Sequence, residues 1–181
     1  MSRFFRTALI VLAIAAVTHV GAIWAVPRGI MALVIGGVAE AAAGYNRAYH
    51  PPPIDDKART VVLPSPDIRY SICALDLSAG PVEVTATPPA SYFSLSVFDA
   101  ITDNVAVISN ATTGTGPIHL VIAGEDTAAP ALPDDAHLVT LPTTTGLLLL
   151  RGLAATPALA EAAETARRTL VCRPLARDSA G

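Results

Sequence analysis

The chain has 181 residues, of which 52% are hydrophobic and 15% charged, and its net charge is −3. No basic stripe with interleaved aromatics occurs, so nucleic-acid binding has no electrostatic footprint. Two cysteines without a C-x-x-C spacing give no dithiol redox motif, and four scattered histidines give no metal-ligand spacing, so no cofactor or metal is implied.

Thr7 to Val26 contains no Asp, Glu, Lys or Arg. As a helix it spans about 30 Å, the thickness of a bilayer's hydrocarbon core. A transmembrane anchor is the reading that fits. A cleaved signal peptide is the alternative, with Val20-Gly21-Ala22 as its cleavage site, but the apolar run continues through Ile23, Trp24 and Val26. A helix apolar on every side is also what lipid selects over a protein core. Trp24 lies where an indole rests among headgroups, and Arg3 and Arg6 before the span outnumber Arg28 after it. The positive-inside bias then puts the N-terminus in the cytoplasm and the remainder outside, on the periplasmic side of an inner (cytoplasmic) membrane. His19 is an ionisable group within the span, a candidate for contact with a membrane-protein partner.

Gly29 to Gly44 is again apolar, but at about 24 Å of helix and with Glu40 it is short for a second crossing. Pro27-Arg28-Gly29 reads as a break at the interface. Ile30 to Ala43 then forms a helix near the membrane or packed on the domain. Asn46 to Pro53, with His50-Pro51-Pro52-Pro53, reads as an extended linker. The expected organisation is an anchor over 1–28, an interfacial helix and Pro-rich linker over 29–59, a β-rich domain over 60–176 and a tail over 177–181.

From Thr60 onward short β runs alternate with turn residues. Thr60–Leu63 precedes Pro-Ser-Pro. Ile68 to Leu77 follows, with Tyr70, Ile72, Ala74 and Leu77 as inward candidates, and Ser78-Ala79-Gly80-Pro81 makes a turn. Val82, Val84 and Ala86 alternate with Glu83 and Thr85. Phe93, Leu95 and Val97 alternate with Ser94 and Ser96 in the clearest strand of the chain. Asn104–Ser109, Ile118–Ile122, His137–Leu141 and Gly146–Leu150 complete the set, and the Leu147–Leu150 run suits a strand covered on both sides. Thr156-Pro157 supplies an N-cap and N1 proline for a helix through Leu170, with Glu164 and Arg168 paired at i,i+4. Val171 and Cys172 start a last short strand. The fold expected is mainly β: an antiparallel sandwich or open barrel with one C-terminal helix, preceded by a transmembrane helix.

The candidate chemistry is sparse. Cys73 and Cys172 form either a disulfide closing a long loop or two buried thiols. No G-x-S-x-G elbow occurs, and Gly114-Thr115-Gly116 lacks the lysine of a phosphate loop. His50 with Asp55 and Asp56 reads as solvated linker, and His119 and His137 as surface or satisfied residues. Asp67, Asp76, Asp99 and Asp103 sit at strand edges, where carboxylates commonly bond local amides.

Val62-Leu63-Pro64-Ser65-Pro66-Asp67-Ile68-Arg69-Tyr70-Ser71, then Asp76-Leu77-Ser78-Ala79-Gly80-Pro81-Val82, then Tyr92-Phe93-Ser94-Leu95-Ser96-Val97-Phe98-Asp99 with Asp103-Asn104, come in one order. In that order they resemble the bacterial family known as domain of unknown function 1254, here in a short, membrane-anchored version. The resemblance covers Thr60 to Gly124 and implies a β-sandwich-like fold. It supplies no catalytic residue. In longer relatives a second β-rich domain follows.

Two functional readings remain. One is a non-catalytic interaction or accessory module of the cell envelope, with a partner that needs the Thr7–Val26 helix. The other is a tethered small-molecule-binding or hydrolytic β domain, with a cleft among Asp67, Asp76, Asp99 and Tyr70 or Tyr92.

Overall fold

The computed structural model describes residues 2–55, 64–114, 116–127 and 130–175. The expected strand at Thr60–Leu63 and the tail at 177–181 lie outside them.

Helix α1 runs from Arg3 to Ala41, about 58 Å at 1.5 Å per residue. Ser2 caps it, its hydroxyl accepting from the Phe5 amide. Pro27 sits inside this helix rather than ending it. A proline removes one hydrogen bond, to the Ile23 carbonyl, but the apolar sequence continues on both sides, and the last turns are fastened to the β domain. The helix therefore has two unlike parts. Its first part is exposed along its whole apolar length. In the second, Met31, Ile35, Val38 and Ala39 are buried. Gly44 then donates to the Ala39 carbonyl, and left-handed Ala43 and Asn46 flank it as the chain reverses.

In place of an extended linker, β1 (Ala48–Tyr49) joins a sheet. The remaining elements are β2 (Ile68–Asp76), β3 (Val82–Ala86), β4 (Phe93–Asp99), β5 (Asn104–Ser109), the one-turn helix α2 (Asn110–Thr113), β6 (Ile118–Gly124), β7 (His137–Leu141), β8 (Thr145–Leu153), α3 (Pro157–Arg167) and β9 (Val171–Pro174). They form a five-stranded sheet of order β1-β2-β8-β4-β5 and a four-stranded sheet of order β7-β6-β3-β9. All pairs are antiparallel except β6 with β7. The architecture is the expected mainly β sandwich with one C-terminal helix and a long apolar N-terminal helix.

Residues two apart share a face, which fixes the layers. Cys73 and Leu75 of β2, Leu148 and Leu150 of β8, and Phe93, Leu95 and Val97 of β4 meet Val82, Val84, Leu120, Ile122 and Cys172 between the sheets. The opposite face of the five-stranded sheet carries Ala74, Leu147, Ile72 and Phe98 under Met31, Ile35, Val38 and Ala39 of α1. The inward candidates Ile72 and Ala74 of β2 thus point at α1, while Cys73, Leu75 and Leu77 fill the inter-sheet core. A strand buried on both faces has no polar alternation to reveal which face is which. The Leu147–Leu150 run is covered on both sides in the same way.

Helix α3 starts as expected, with the Thr156 hydroxyl accepting from the Leu159 amide and Pro157 in its first turn. It lies across the end of β8, where a Cβ on Gly152 would stand 3.2 Å from the Ala163 Cβ. Glycine there lets helix and strand approach.

Candidate functional site

The six candidate site residues do not form one cleft. Asp67 and Asp76 lie at opposite ends of β2, about 30 Å apart at 3.3 Å per residue. Asp76 and Asp99 share an end but face different ways. Asp99 pairs with Gly146 and continues the inward row of Phe93, Leu95 and Val97, while Asp76 continues the row of Ile72 and Ala74. Each carboxylate there holds local backbone. Asp76 Oδ1 accepts from the Ser78 amide at 2.9 Å. Fully buried Asp99 accepts from Ile101 and Asp103 amides at 2.8 and 2.9 Å, and its Oδ2 has no partner. The amide side chain of Asn46 brackets the backbone of Asp76, donating to its carbonyl and accepting from its amide. Tyr70 accepts from the Ser65 amide through its hydroxyl, and its neighbour across the sheet is Arg151. Tyr92 is exposed beside Leu153. His19 lies in the exposed first part of α1, remote from all of them.

Cys73 and Cys172 are joined by a disulfide, Cα atoms 6.7 Å apart, which staples β2 of one sheet to β9 of the other.

Three polar clusters bring together residues that lie far apart in the sequence or on either side of Pro27. In the first, His50 Nδ1 is 2.7 Å from the hydroxyl of buried Ser71, which in turn lies 3.2 Å from the Arg167 carbonyl. A carbonyl only accepts, so the Ser71 proton goes to it and His50 Nδ1–H donates to the serine oxygen. A nucleophilic serine needs its proton directed at the imidazole. This pair is polarised the other way and serves to fasten β1, β2 and α3 together. Arg167, only 2% exposed, donates to the Tyr70 carbonyl and to both oxygens of Glu164, and Arg168 also bonds Glu164. Burial raises the Glu164 pKa, but the hydrogen bonds from the two arginines outweigh it and the net shift is downward.

Burial, then repulsion from Arg167 and Arg168, lowers the His50 pKa, against a smaller opposing effect of Glu164. A histidine depressed in the folded state leaves stability intact above its unfolded value, near pH 6.5. Stability is then lost as pH falls from there toward the folded value, because the unfolded chain takes up the proton first. Urea midpoints should therefore fall between pH 7 and the folded value of His50. In His50→Gln that part of the decline should vanish, while losses below about pH 4.5 from Glu83 and Glu164, both depressed, should remain. An unchanged profile in the variant would refute the assignment.

The second cluster lies on the four-stranded sheet. Glu83 accepts from Arg173 at 2.6 Å and bonds His119 at 2.8 Å. Arg173, then His119, hold its pKa below the ordinary carboxylate value although burial opposes them. The alternation of Glu83 with Val82 and Val84, and of His119 with Ile118 and Leu120, was the sequence signal that both point away from the core. The third cluster is at the α1 junction, where the Arg28 guanidinium lies 4.5 Å from the centre of the Trp24 ring and donates to the Trp24 carbonyl at 2.8 Å. Beyond it, Arg28, Ala32 and Ile35 face Tyr45, Ala100 and Ile101 across a cavity of about 350 Å³. A shallower groove of about 460 Å³ runs between α3 and Pro88-Pro89.

The geometry is that of a braced β-sandwich whose ion pairs and strand-end carboxylates hold local structure. Among known families, the model described as "Protein of unknown function (DUF1254)" matches residues 45–174. The chain belongs to the DUF1254 family. The DUF1254 match begins at Tyr45, directly after the turn that ends α1, and closes at the last residue of β9. No curated protein matches the chain. Among solved structures, the VPA0106 protein from Vibrio parahaemolyticus aligns over 85% of this chain with a TM-score of 0.66 and 20% identity. An uncharacterised protein from Burkholderia cenocepacia aligns over 73% with a TM-score of 0.45 and 15% identity. The chain spans 37% of the Vibrio protein and 36% of the Burkholderia protein. The Vibrio likeness shows that this DUF1254 chain shares its fold.

Proposed function

We propose that the chain is a membrane-anchored, non-catalytic interaction module that holds its DUF1254 sandwich on the periplasmic face of the inner membrane. The observation that carries this reading is the division of α1. One apolar stretch, with a mean hydropathy of 2.3 over its best window, is wholly unburied, and the next is packed on the sheet. The first part has the length and composition of a membrane span; the second ties that span to the domain without a flexible joint. Arg3 and Arg6 ahead of the span favour a cytoplasmic N-terminus. The Cys73–Cys172 disulfide suits an oxidising compartment on the other side. The dispersal of Asp67, Asp76 and Asp99, with the reversed polarity of the His50–Ser71 pair, supports an interaction role over a hydrolytic one. The partner is a membrane protein met by the α1 face that carries His19.

Fractionation tests the anchor. The full chain should stay with membranes through alkaline carbonate, and protease should reach its β domain in spheroplasts. A chain released by carbonate, or a domain protected in spheroplasts, refutes anchoring or orientation respectively. A pull-down of the tagged full chain from detergent extracts, beside a form lacking residues 2–26, tests the partner. A stoichiometric protein lost with the helix supports the module, and none in either sample overturns it.

A further inference from the structure

The geometry points to a phospholipid site: we infer that the cavity between α1 and the turn after β4 seats the head group of an anionic phospholipid. The inference rests on the proposed membrane anchoring. Depth is the first argument. Arg28 follows Val26, the end of the apolar run, by two residues and Ile35 follows it by nine, so the cavity lies at most about 3–14 Å beyond the hydrocarbon along the helix. The headgroup layer of one leaflet occupies roughly the first 5–8 Å of that interval. Trp24, one turn earlier, is at the level where indoles rest.

Charge is the second. Among the described residues, Arg28 is the one charged residue lining the cavity. Its guanidinium spends one donor on the Trp24 carbonyl and lies against the indole, which leaves further N–H groups for a phosphate. Asp103, exposed on the same turn, does not line the cavity. Shape is the third. Ala32, Ile35, Ala100 and Ile101 give apolar walls beyond that cation for the head-group carbons that lie outside the phosphate, and about 350 Å³ is within the range of small-ligand sites. The outer wall is preset rather than floppy: Asp99 holds the Ile101 and Asp103 amides, and Thr143 accepts from the Ala100 amide.

Trp24 is the only tryptophan, so its fluorescence reports on this place alone. The full chain is reconstituted in vesicles of equal fractions of phosphatidylglycerol and phosphatidylcholine, with a head-group spin label on one lipid or the other. Quenching should show the labelled phosphatidylglycerol enriched about fivefold around Trp24, the size expected of one juxtamembrane arginine. Arg28→Gln should bring the ratio to unity. Ala32→Leu, at an exposed helix position, fills the cavity while keeping the cation, and should also bring it near unity. A ratio of unity in the native chain, or full enrichment in Ala32→Leu, overturns the inference. Loss of enrichment under excess inorganic phosphate would mean a free-anion site and overturns it too. No quenching by either lipid would instead refute the anchor itself.

Discussion

Removing residues 2–26 should leave a folded, monomeric domain, whereas removing residues 2–44 should leave a chain that aggregates. The difference lies in eighteen residues, the second part of α1 and the turn after it, which pack on the β domain. Met31, Ile35 and Val38 cover Ala74, Leu147, Ile72 and Phe98. Each such side chain contributes about 1.5–3 kcal/mol when fully buried. Stripped of them, the five-stranded sheet would present a broad apolar face to water, the kind of patch that drives association. Within the form starting at residue 27, Ile35→Ala should cost about 2–5 kcal/mol, read from urea unfolding. Equal stability of the 27–181 and 45–181 forms would show that the helix merely touches the sheet.

Reducing the disulfide should produce the second large effect, a loss of up to about 4–5 kcal/mol in the chain-entropy account. Its two cysteines are 99 residues apart, so the bond restrains nearly the whole β domain in the unfolded state. It also joins the two sheets at buried positions, Cys73 being wholly inaccessible. Urea midpoints with reductant and in Cys73→Ala/Cys172→Ala should agree with each other and lie well below that of the oxidised chain. Coincident midpoints in all three would mean the bond adds nothing beyond packing.

Much of the strand pattern was legible in the sequence. Alternation gave β3, β4 and β6, the leucine run gave a central β8, and Thr156-Pro157 marked the start of α3. What alternation does not encode is which of two buried faces meets which neighbour, and so Ile72 and Ala74 of β2 were assigned to the wrong layer. Pro27 read as a helix end because proline usually ends helices in water; packing of Met31 to Ala39 on the sheet overrides that preference. His50 read as linker because its partner, Ser71, is supplied by a strand pairing that no local window contains. The parallel placement of β7 was likewise invisible, since it depends on the path of a long connection rather than on the strand itself. The aspartates at the strand ends were correctly read as backbone-bonding groups in the cases of Asp76 and Asp99.

The strand order also sets the sequence of assembly. β2 and β4 do not touch; each is hydrogen-bonded to β8, which is made last of the three. The five-stranded sheet therefore cannot close while the chain emerges from its N-terminus, because its central strand is missing until residue 153 is present. Cys172 arrives later still. Such non-local pairing is slow to nucleate, and slowness would suit the proposed export. A polypeptide threaded through a translocation channel must stay unfolded during transit. On the proposed periplasmic placement, a sheet whose keystone is made late would keep it so, and oxidation of Cys73 with Cys172 would then lock the product.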